Sequence, residues 1–395
     1  MAAARKAIIV GGSVGGLSAG LALRARGWDV VVLERATEAL SARGAGIATH
    51  PQLLAALRQL GVSADASFGV SVQRRVMLDR SGNVTGECAF EQIMAAWDRV
   101  HQALAQAFGW HAYRSGAALV GIDRTDPAKP VAHLQSGEHL HADLIIGADG
   151  FRSTVRSLLL PLLTPVYANY VAWRGLINES ALSPDLQRNF FPLFAFFLPP
   201  GEQILGYPVA GPGNDLRPGH RRYVLVWYRP TSPAALDDML TDEQGRRHQM
   251  SIPPPLIRQT VIDAMRHDAI RLLPKAFADV VALTAAPFVQ PMYDLAVDQM
   301  VVDRCLLIGD AAFVARPHIG AGVTKALRDA LSLAASLDAT DDLDAALGRF
   351  EVDRLIEGKL MTDRGQWLGD AIHAAAPNSA VMLAETANLR TLIPD

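Results

Sequence analysis

Glu34 and Asp310 each stand at or just after the end of a short apolar run, beside a glycine-rich turn. Near the N-terminus Ala7-Ile8-Ile9-Val10 reads as a strand, and Gly11-Gly12-Ser13-Val14-Gly15-Gly16 follows it. Leu17, Leu21 and Arg24 then keep helical spacing up to Gly27, and Trp28 to Leu33 reads as a second strand ending in Glu34-Arg35. Strand, glycine turn, helix, strand and acid, with Glu34 placed 23 residues after Gly11, is the order of a dinucleotide-binding unit. Gly11 permits the tight turn, and Gly16 lets the helix lie close on the strand. The loop turns backbone N–H groups and a helix N-terminus toward a pyrophosphate, while Glu34 accepts from an adenosine ribose. Ser13 replaces the middle glycine of G-x-G-x-x-G; its side chain is small and its hydroxyl can donate to the pyrophosphate. Arg35 is adjacent, but no Arg takes the acid's place as a 2′-phosphate would require, so FAD or NAD is favoured over NADP here.

Two further turns lie far down the chain. Val131 to Leu134 and His139 to Ile146 read as a hairpin turning at Ser136-Gly137, which leads into Gly147-Ala148-Asp149-Gly150 and on to Ser153 and Arg156. Cys305-Leu306-Leu307-Ile308 ends in Gly309-Asp310-Ala311-Ala312, then Arg316-Pro317-His318-Ile319-Gly320-Ala321-Gly322 opens a helical run to Leu337. Singly, Asp149-Gly150 is also what a plain turn looks like, and Asp310 what a helix N-cap looks like. Taken in order, the glycine turn, D-G-x-x-S-x-x-R at Asp149 to Arg156, and G-D with P-x-x-G-x-G at Pro317, Gly320 and Gly322 span residues 7 to 330. On these motifs the chain resembles the single-component FAD-dependent aromatic hydroxylases, the para-hydroxybenzoate hydroxylase-like flavoprotein monooxygenases. Gly44-Ala45-Gly46-Ile47, Tyr170 to Gly175 (which contains Trp173-Arg174-Gly175), Gly206-Tyr207-Pro208 and Arg316-Pro317-His318 are similar to the dihydroxypyridine hydroxylases within that family.

The resemblance implies that Glu34 holds the adenosine ribose and Asp310 the ribityl chain, and that the Gly320–Gly322 loop faces the flavin pyrimidine edge. It implies that Asp149 and Arg156 serve both FAD and a passing nicotinamide. Where many relatives carry an Arg on the helix over FAD, this chain has Trp97, with Arg99 two residues on, and both stay open as FAD contacts; Thr324 stands where an Asn often follows the last glycines. The implied reaction uses noncovalent FAD, with NADH or NADPH as a transient cosubstrate because no second nucleotide fold is present. O2 adds to the reduced flavin, and the hydroperoxide gives one oxygen atom to a hydroxylated aromatic or N-heteroaromatic ring. FAD-dependent epoxidases carry the same signatures. A flavin-binding redox sensor without turnover is the alternative of a different class, and the intact Asp149/Arg156 motif and Gly320–Gly322 loop argue against it.

Between the second and third turns strands dominate. Arg221 to Arg229 alternates, with Tyr223, Leu225 and Trp227 on one face; Phe190 to Leu198 is an aromatic run broken by Pro192, and Pro208 to Gly219 reads as a loop. Five Phe on a strand are either core or an aromatic-substrate cage, and Tyr207, Tyr223 and Trp227 share that ambiguity. His318, inside the flavin loop, and Tyr207 are the candidate catalytic side chains, with His50 a further candidate at the flavin edge. His139 and His141 share a strand face but have no third ligand nearby, so no metal is expected.

The expected fold is α/β, a discontinuous Rossmann-like FAD-binding domain with an antiparallel-sheet substrate domain and C-terminal helices. The FAD-binding parts are read at 1–70, 98–163 and 288–340, the substrate parts at 71–97 and 164–287, and packing or interface helices at 341–395, which leave a homodimer open. In 395 residues, 50% are hydrophobic and 19% charged, and Lys+Arg 37 against Asp+Glu 40 leaves a formal charge of -3, which excludes a disordered chain and argues against a nucleic-acid surface. Cys88 and Cys305 stand far apart in no ligand or disulfide pattern, which fits a reducing cytoplasm. The uncharged run Ala7 to Leu23 holds five glycines and two serines, which suit a tight turn and not a lipid-facing helix, so a soluble, uncleaved chain is expected.

Overall fold

The computed structural model describes residues 4–38 and 46–373; Gly44, Ala45 and the part of the C-terminal segment beyond His373 lie outside the described residues. A six-stranded sheet has the order Val301–Val302, Cys305–Leu307, Leu144–Gly147, Lys6–Val10, Asp29–Glu34, Tyr113–Ser115. Lys6–Val10 runs parallel to Asp29–Glu34 on one side and to Leu144–Gly147 on the other, and Leu144–Gly147 runs parallel to Cys305–Leu307. Strand order therefore reverses at Lys6–Val10, the switch point where open α/β sheets bind ligands. Because the strands are in register, with Val10 opposite Gly147 and Gly147 opposite Leu307, the three signature turns leave one sheet edge side by side. Helices Val14–Arg24 and Gly322–Asp338 start at that edge and pack on the sheet, whose strands are buried on both faces.

The stretch expected as one strand from His139 to Ile146 is two. His139–His141 joins Val131–Leu134 and Leu119–Asp123 in a separate three-stranded sheet, and Leu144–Gly147 enters the parallel sheet. Asp143 makes the break: its carboxylate accepts from the Lys6 N–H at 2.8 Å and pairs with Lys129, which turns the chain off the hairpin.

A nine-stranded sheet stands over that edge, antiparallel except where Phe194–Phe197 pairs parallel with Val70–Leu78. Strand Arg222–Pro230 runs through its middle between Val166–Asn178 and Gln203–Val209. Tyr223, Leu225 and Trp227 pack on helices Gln259–Leu272 and Lys275–Leu283, whereas Val224, Val226 and Tyr228 face the opposite side with Phe194, Phe196 and Tyr207. The aromatic run is also shorter than expected as a strand: Phe190 and Phe191 follow helix Pro184–Asn189, and only Phe194–Phe197 pairs. Helix Leu343–His373 lies along Gly322–Asp338, and Gly365 and Gly369 let it close on Arg316, whose atoms a Cβ would meet at 3.0 and 2.7 Å. No described helix is long and apolar enough to cross a membrane.

Candidate active site

Two cavities meet at this edge. The first, about 470 Å³, is lined by the glycine turn, Glu34, Arg35, Trp97, Asp149 and Asp310; the second, about 480 Å³, lies under the nine-stranded sheet. Asp310, Gly322 and Val323 line both.

In the first cavity the backbone comes closer than side chains would allow. Gly11 has φ 110°, and a Cβ there would stand 2.3 Å from the Ala148 carbonyl oxygen; a Cβ on Gly16 would stand 1.9 Å from that of Gly11. Ser13 occupies the N-cap of helix Val14–Arg24 without a capping bond of its own, so its hydroxyl stays available in the cavity wall. Glu34 is fixed by two backbone donors, Gly12 N–H at 2.9 Å and Ala36 N–H at 2.8 Å. A carboxylate accepts about four hydrogen bonds, so half its capacity remains for a ligand. Trp97 lines the cavity, stacked on His101 at 5.1 Å, and His101 Nε2 meets the Gly12 carbonyl at 3.0 Å. Arg99 is not in the wall; its guanidinium lies over Phe68 at 4.9 Å.

Asp149 lines the cavity, but its carboxylate is occupied by Ser153 Oγ and the N–H groups of Thr154 and Val155. Arg156 lines neither cavity. It donates to the Ala311 carbonyl at 3.1 Å and the Phe151 carbonyl at 2.7 Å, and so braces the second turn against the third. Asp310 accepts no hydrogen bond among the described residues; its nearest charged partner is Lys325 Nζ, 3.9 Å away. Beyond it Gly320, at φ 63°, closes the Pro317–Ile319 turn, and Gly322 begins its helix.

The second cavity has aromatic walls, Phe194, Phe196, Tyr207 and Tyr228, with Arg75, Arg174, His50 and His318 among them. Tyr223 and Trp227, expected as cage candidates, face the other core, because alternation puts Tyr228 and not Trp227 on the cavity side. Tyr207 donates its hydroxyl hydrogen to the Gly46 carbonyl at 2.9 Å, which makes it a wall and a brace. His318 Nε2 lies 2.8 Å from the Tyr170 hydroxyl, and its Nδ1 has no partner. Burial, then His373, Arg316 and Arg174, hold its pKa well below the usual histidine range, so the ring is neutral. Burial likewise pushes the Tyr170 hydroxyl up, and it keeps its proton. Tyr170 has no other acceptor among the described residues, so it donates to Nε2 and the His318 proton sits on Nδ1. His50 is buried and its pKa falls to about 3, from desolvation first and the Arg75 charge second.

Sequence reasoning did not single out Arg75 or Tyr170. Arg75 donates to Gln92 Oε1 at 2.9 Å and lies over Phe194 at 5.0 Å. A register shift between Val72 and Arg74 decides that Arg75 points inward while Arg74 meets Glu87 in solvent, and no alternation pattern reveals such a bulge.

The residues fit FAD. Along the first cavity lie a half-used carboxylate, a helix N-terminus crowded with glycine, and a carboxylate without donors. These suit in turn a ribose, a pyrophosphate and a polyol chain, and the ring end opens into the second cavity.

Comparison with known proteins agrees. A family model described as "FAD binding domain-like" matches residues 167–294. The chain is 34% identical over 356 residues to a 2,6-dihydroxypyridine 3-monooxygenase of Paenarthrobacter nicotinovorans, covering 89% of this chain and 87% of the relative. It belongs to the FAD-dependent aromatic hydroxylases. An aurachin C monooxygenase/isomerase of Stigmatella aurantiaca is 29% identical, covering 88% of this chain and 84% of that one. The solved structure of 2,6-dihydroxypyridine-3-hydroxylase from Arthrobacter nicotinovorans superposes with TM-score 0.89 at 30% identity, covering 96% of each chain. The protein is thus an FAD-dependent monooxygenase with the fold of that hydroxylase. It is expected to purify yellow and to release its colour on acid precipitation, since among the described residues no cysteine lines either cavity and no histidine or cysteine of the sequence stands in a flavinylation motif. Colour retained in the pellet would show a covalent flavin.

Proposed function

We propose that this monooxygenase uses NADH or NADPH and O2 to hydroxylate a small hydroxylated aromatic or N-heteroaromatic ring of the dihydroxypyridine kind. The observation that carries the reading is the aromatic, arginine-bearing cavity that opens on the dinucleotide cavity at Asp310 and Gly322. The names of relatives support the substrate class, among them the dihydroxypyridine enzyme, two FAD-dependent urate hydroxylases of Klebsiella and a 3-amino-4-hydroxybenzoate 2-monooxygenase of Streptomyces cremeus.

In this reading Gly11, Ser13 and Gly16 form the pyrophosphate turn, and Glu34 and Arg35 take the adenosine end. Asp149 and Arg156 brace the turn between them, Asp310 holds the ribityl hydroxyls, and Pro317, Gly320 and Gly322 shape the ring edge. FAD, when bound, supplies electron transfer from the nicotinamide and activation of O2. The chain supplies the remainder. Phe194, Phe196 and Tyr228 hold a flat ring and exclude water, and helix Gly322–Asp338 turns its positive end toward the junction, where negative charge is favoured. His318, neutral and hydrogen-bonded to Tyr170 behind it, completes the wall of the cavity without carrying a charge there.

The charges point the same way. Among the described residues Arg75, Arg152, Arg174 and Arg316 line the second cavity against Asp310 as its one carboxylate. Asp294 and Asp370 neutralise Arg316, but Arg174 has no hydrogen bond or ion pair among the described residues, and its Nε is buried without a partner. A ring with an ionised hydroxyl suits such a wall. The unpaired Cys88 and Cys305 support a reducing, cytoplasmic setting. The outward row Val352, Ile356 and Leu360 on helix Leu343–His373 supports self-association.

With 18O2, a hydroxypyridine or phenol is expected to accelerate NAD(P)H oxidation and to emerge one labelled oxygen atom heavier by mass spectrometry. Label arriving from water, or rings that yield only hydrogen peroxide while an alkene is epoxidised, would replace this reading with the epoxidase one.

A further inference from the structure

Helix Gly322–Asp338 carries a lysine in its first turns that reaches no solvent. The Lys325 side chain is 1% exposed, and Nζ has no hydrogen-bond partner. An ammonium held this way is costly unless an anion compensates it.

The other charges nearby are already matched. Asp329, one turn on, accepts the Gly309 N–H at 2.7 Å with one oxygen and Arg354 Nε at 2.8 Å with the other. Arg354 also pairs with Glu357, which accepts Arg328 Nε at 2.9 Å. Two carboxylates and two guanidinia cancel, and the charges left over are Lys325 and Asp310. The separation of 3.9 Å is beyond hydrogen-bond length, so the lysine acts through its field and leaves both Asp310 oxygens open to a ligand.

We infer that Lys325 is the buried counter-charge that keeps Asp310 an anion at the FAD cleft, and that this pair, not Asp310 alone, sets how tightly and over what pH range FAD is held. The inference rests on assigning Asp310 to FAD. The Asp310 side chain is half exposed in the open cleft; desolvation, which grows when a ligand covers it, raises its pKa most, Lys325 lowers it, and Asp329 raises it again. Arg354, from helix Leu343–His373, pairs with Asp329 and with Glu357, and neither Arg354 nor Glu357 pairs with Asp310. The sign follows: an ionised Asp310 accepts charge-assisted bonds from hydroxyls, and FAD retention falls as pH drops through its pKa. Without Lys325 that pKa moves up and the loss begins nearer neutrality.

The test dilutes holoenzyme and follows flavin fluorescence as FAD leaves, from about pH 5.5 to pH 8.5. Lys325→Met is expected to shift the profile to higher pH by about one unit or more, so that its excess of FAD release over the parent grows as pH falls and approaches about tenfold below the parent midpoint. Lys325→Arg should keep the parent profile. Asp310→Asn should release quickly with little pH dependence, and adding Lys325→Met to it should change nothing further, because the charge it supports is gone. A parent-like profile in Lys325→Met, or additive effects in the double variant, overturns the inference while leaving Asp310 an FAD residue. Parent-like retention in Asp310→Asn overturns the assignment of Asp310 itself. Lys325→Gln replaces Lys325→Met if the latter does not fold, with the same expected shift.

Discussion

Asp310→Ala will cost the protein its FAD on dilution. The carboxylate stands where the two cavities join and accepts no hydrogen bond among the described residues, so its acceptor capacity is free for a ligand. A charge-assisted bond contributes about 1.5–3 kcal/mol, and two of them place the loss at roughly 10²- to 10⁴-fold in affinity. Glu34→Ala should act in the same direction and also deprive the N–H groups of Gly12 and Ala36 of their acceptor, loosening the glycine turn. The measurement is the ratio of flavin to protein absorbance after dialysis, with far-UV circular dichroism to confirm folding. If both variants keep full flavin, the two carboxylates have been misassigned.

The three turns are legible in the sequence because each follows a short apolar strand and each departs from what a random loop contains. Their meeting is a consequence of parallel register: once Val10 faces Gly147 and Gly147 faces Leu307, the turns share an edge although Gly11 and Asp310 lie far apart in the chain. Side-chain direction in the nine-stranded sheet is much less legible. Both its faces are buried, so alternation shows that Tyr223 and Trp227 share a face without showing which face borders the cavity. The bulge after Val72 hides Arg75, and Asp143 breaks a strand at a residue that reads as an ordinary polar position. Lys325 is hidden for a similar reason. A lysine in a helix usually marks the solvated face, and only the folded structure, which leaves this side chain 1% exposed beside Asp310, reveals it as buried.

Arg174 is the side chain expected to govern the ring. It sits on strand Val166–Asn178 with its guanidinium at a cavity of aromatic walls, while the other cavity arginines have partners: Arg316 its two carboxylates, Arg75 Gln92, and Arg152 Ser251. Arg174→Gln keeps a donor and removes the charge. For a ring bound as an anion, the loss of one charge-assisted bond of about 1.5–3 kcal/mol corresponds to roughly 10- to 150-fold weaker binding. Dissociation constants are read from the perturbed flavin spectrum of oxidised holoenzyme without nicotinamide, so turnover does not enter. 2,6-Dihydroxypyridine should lose affinity by that factor, and its affinity for the parent should rise with pH as its hydroxyl ionises. 2,6-Dimethoxypyridine, which has no ionisable hydroxyl, should bind the parent poorly and the variant no worse. Arg174→Lys should recover only part of the loss, because a point charge on a flexible stem does not reproduce a planar fork of donors. Equal affinity of parent and Arg174→Gln for the dihydroxy ring would mean that its charge is met elsewhere in the wall. The next variant would then be Arg152→Gln, at another arginine of the same wall, whose loss should weaken the ionised ring while sparing the methylated one.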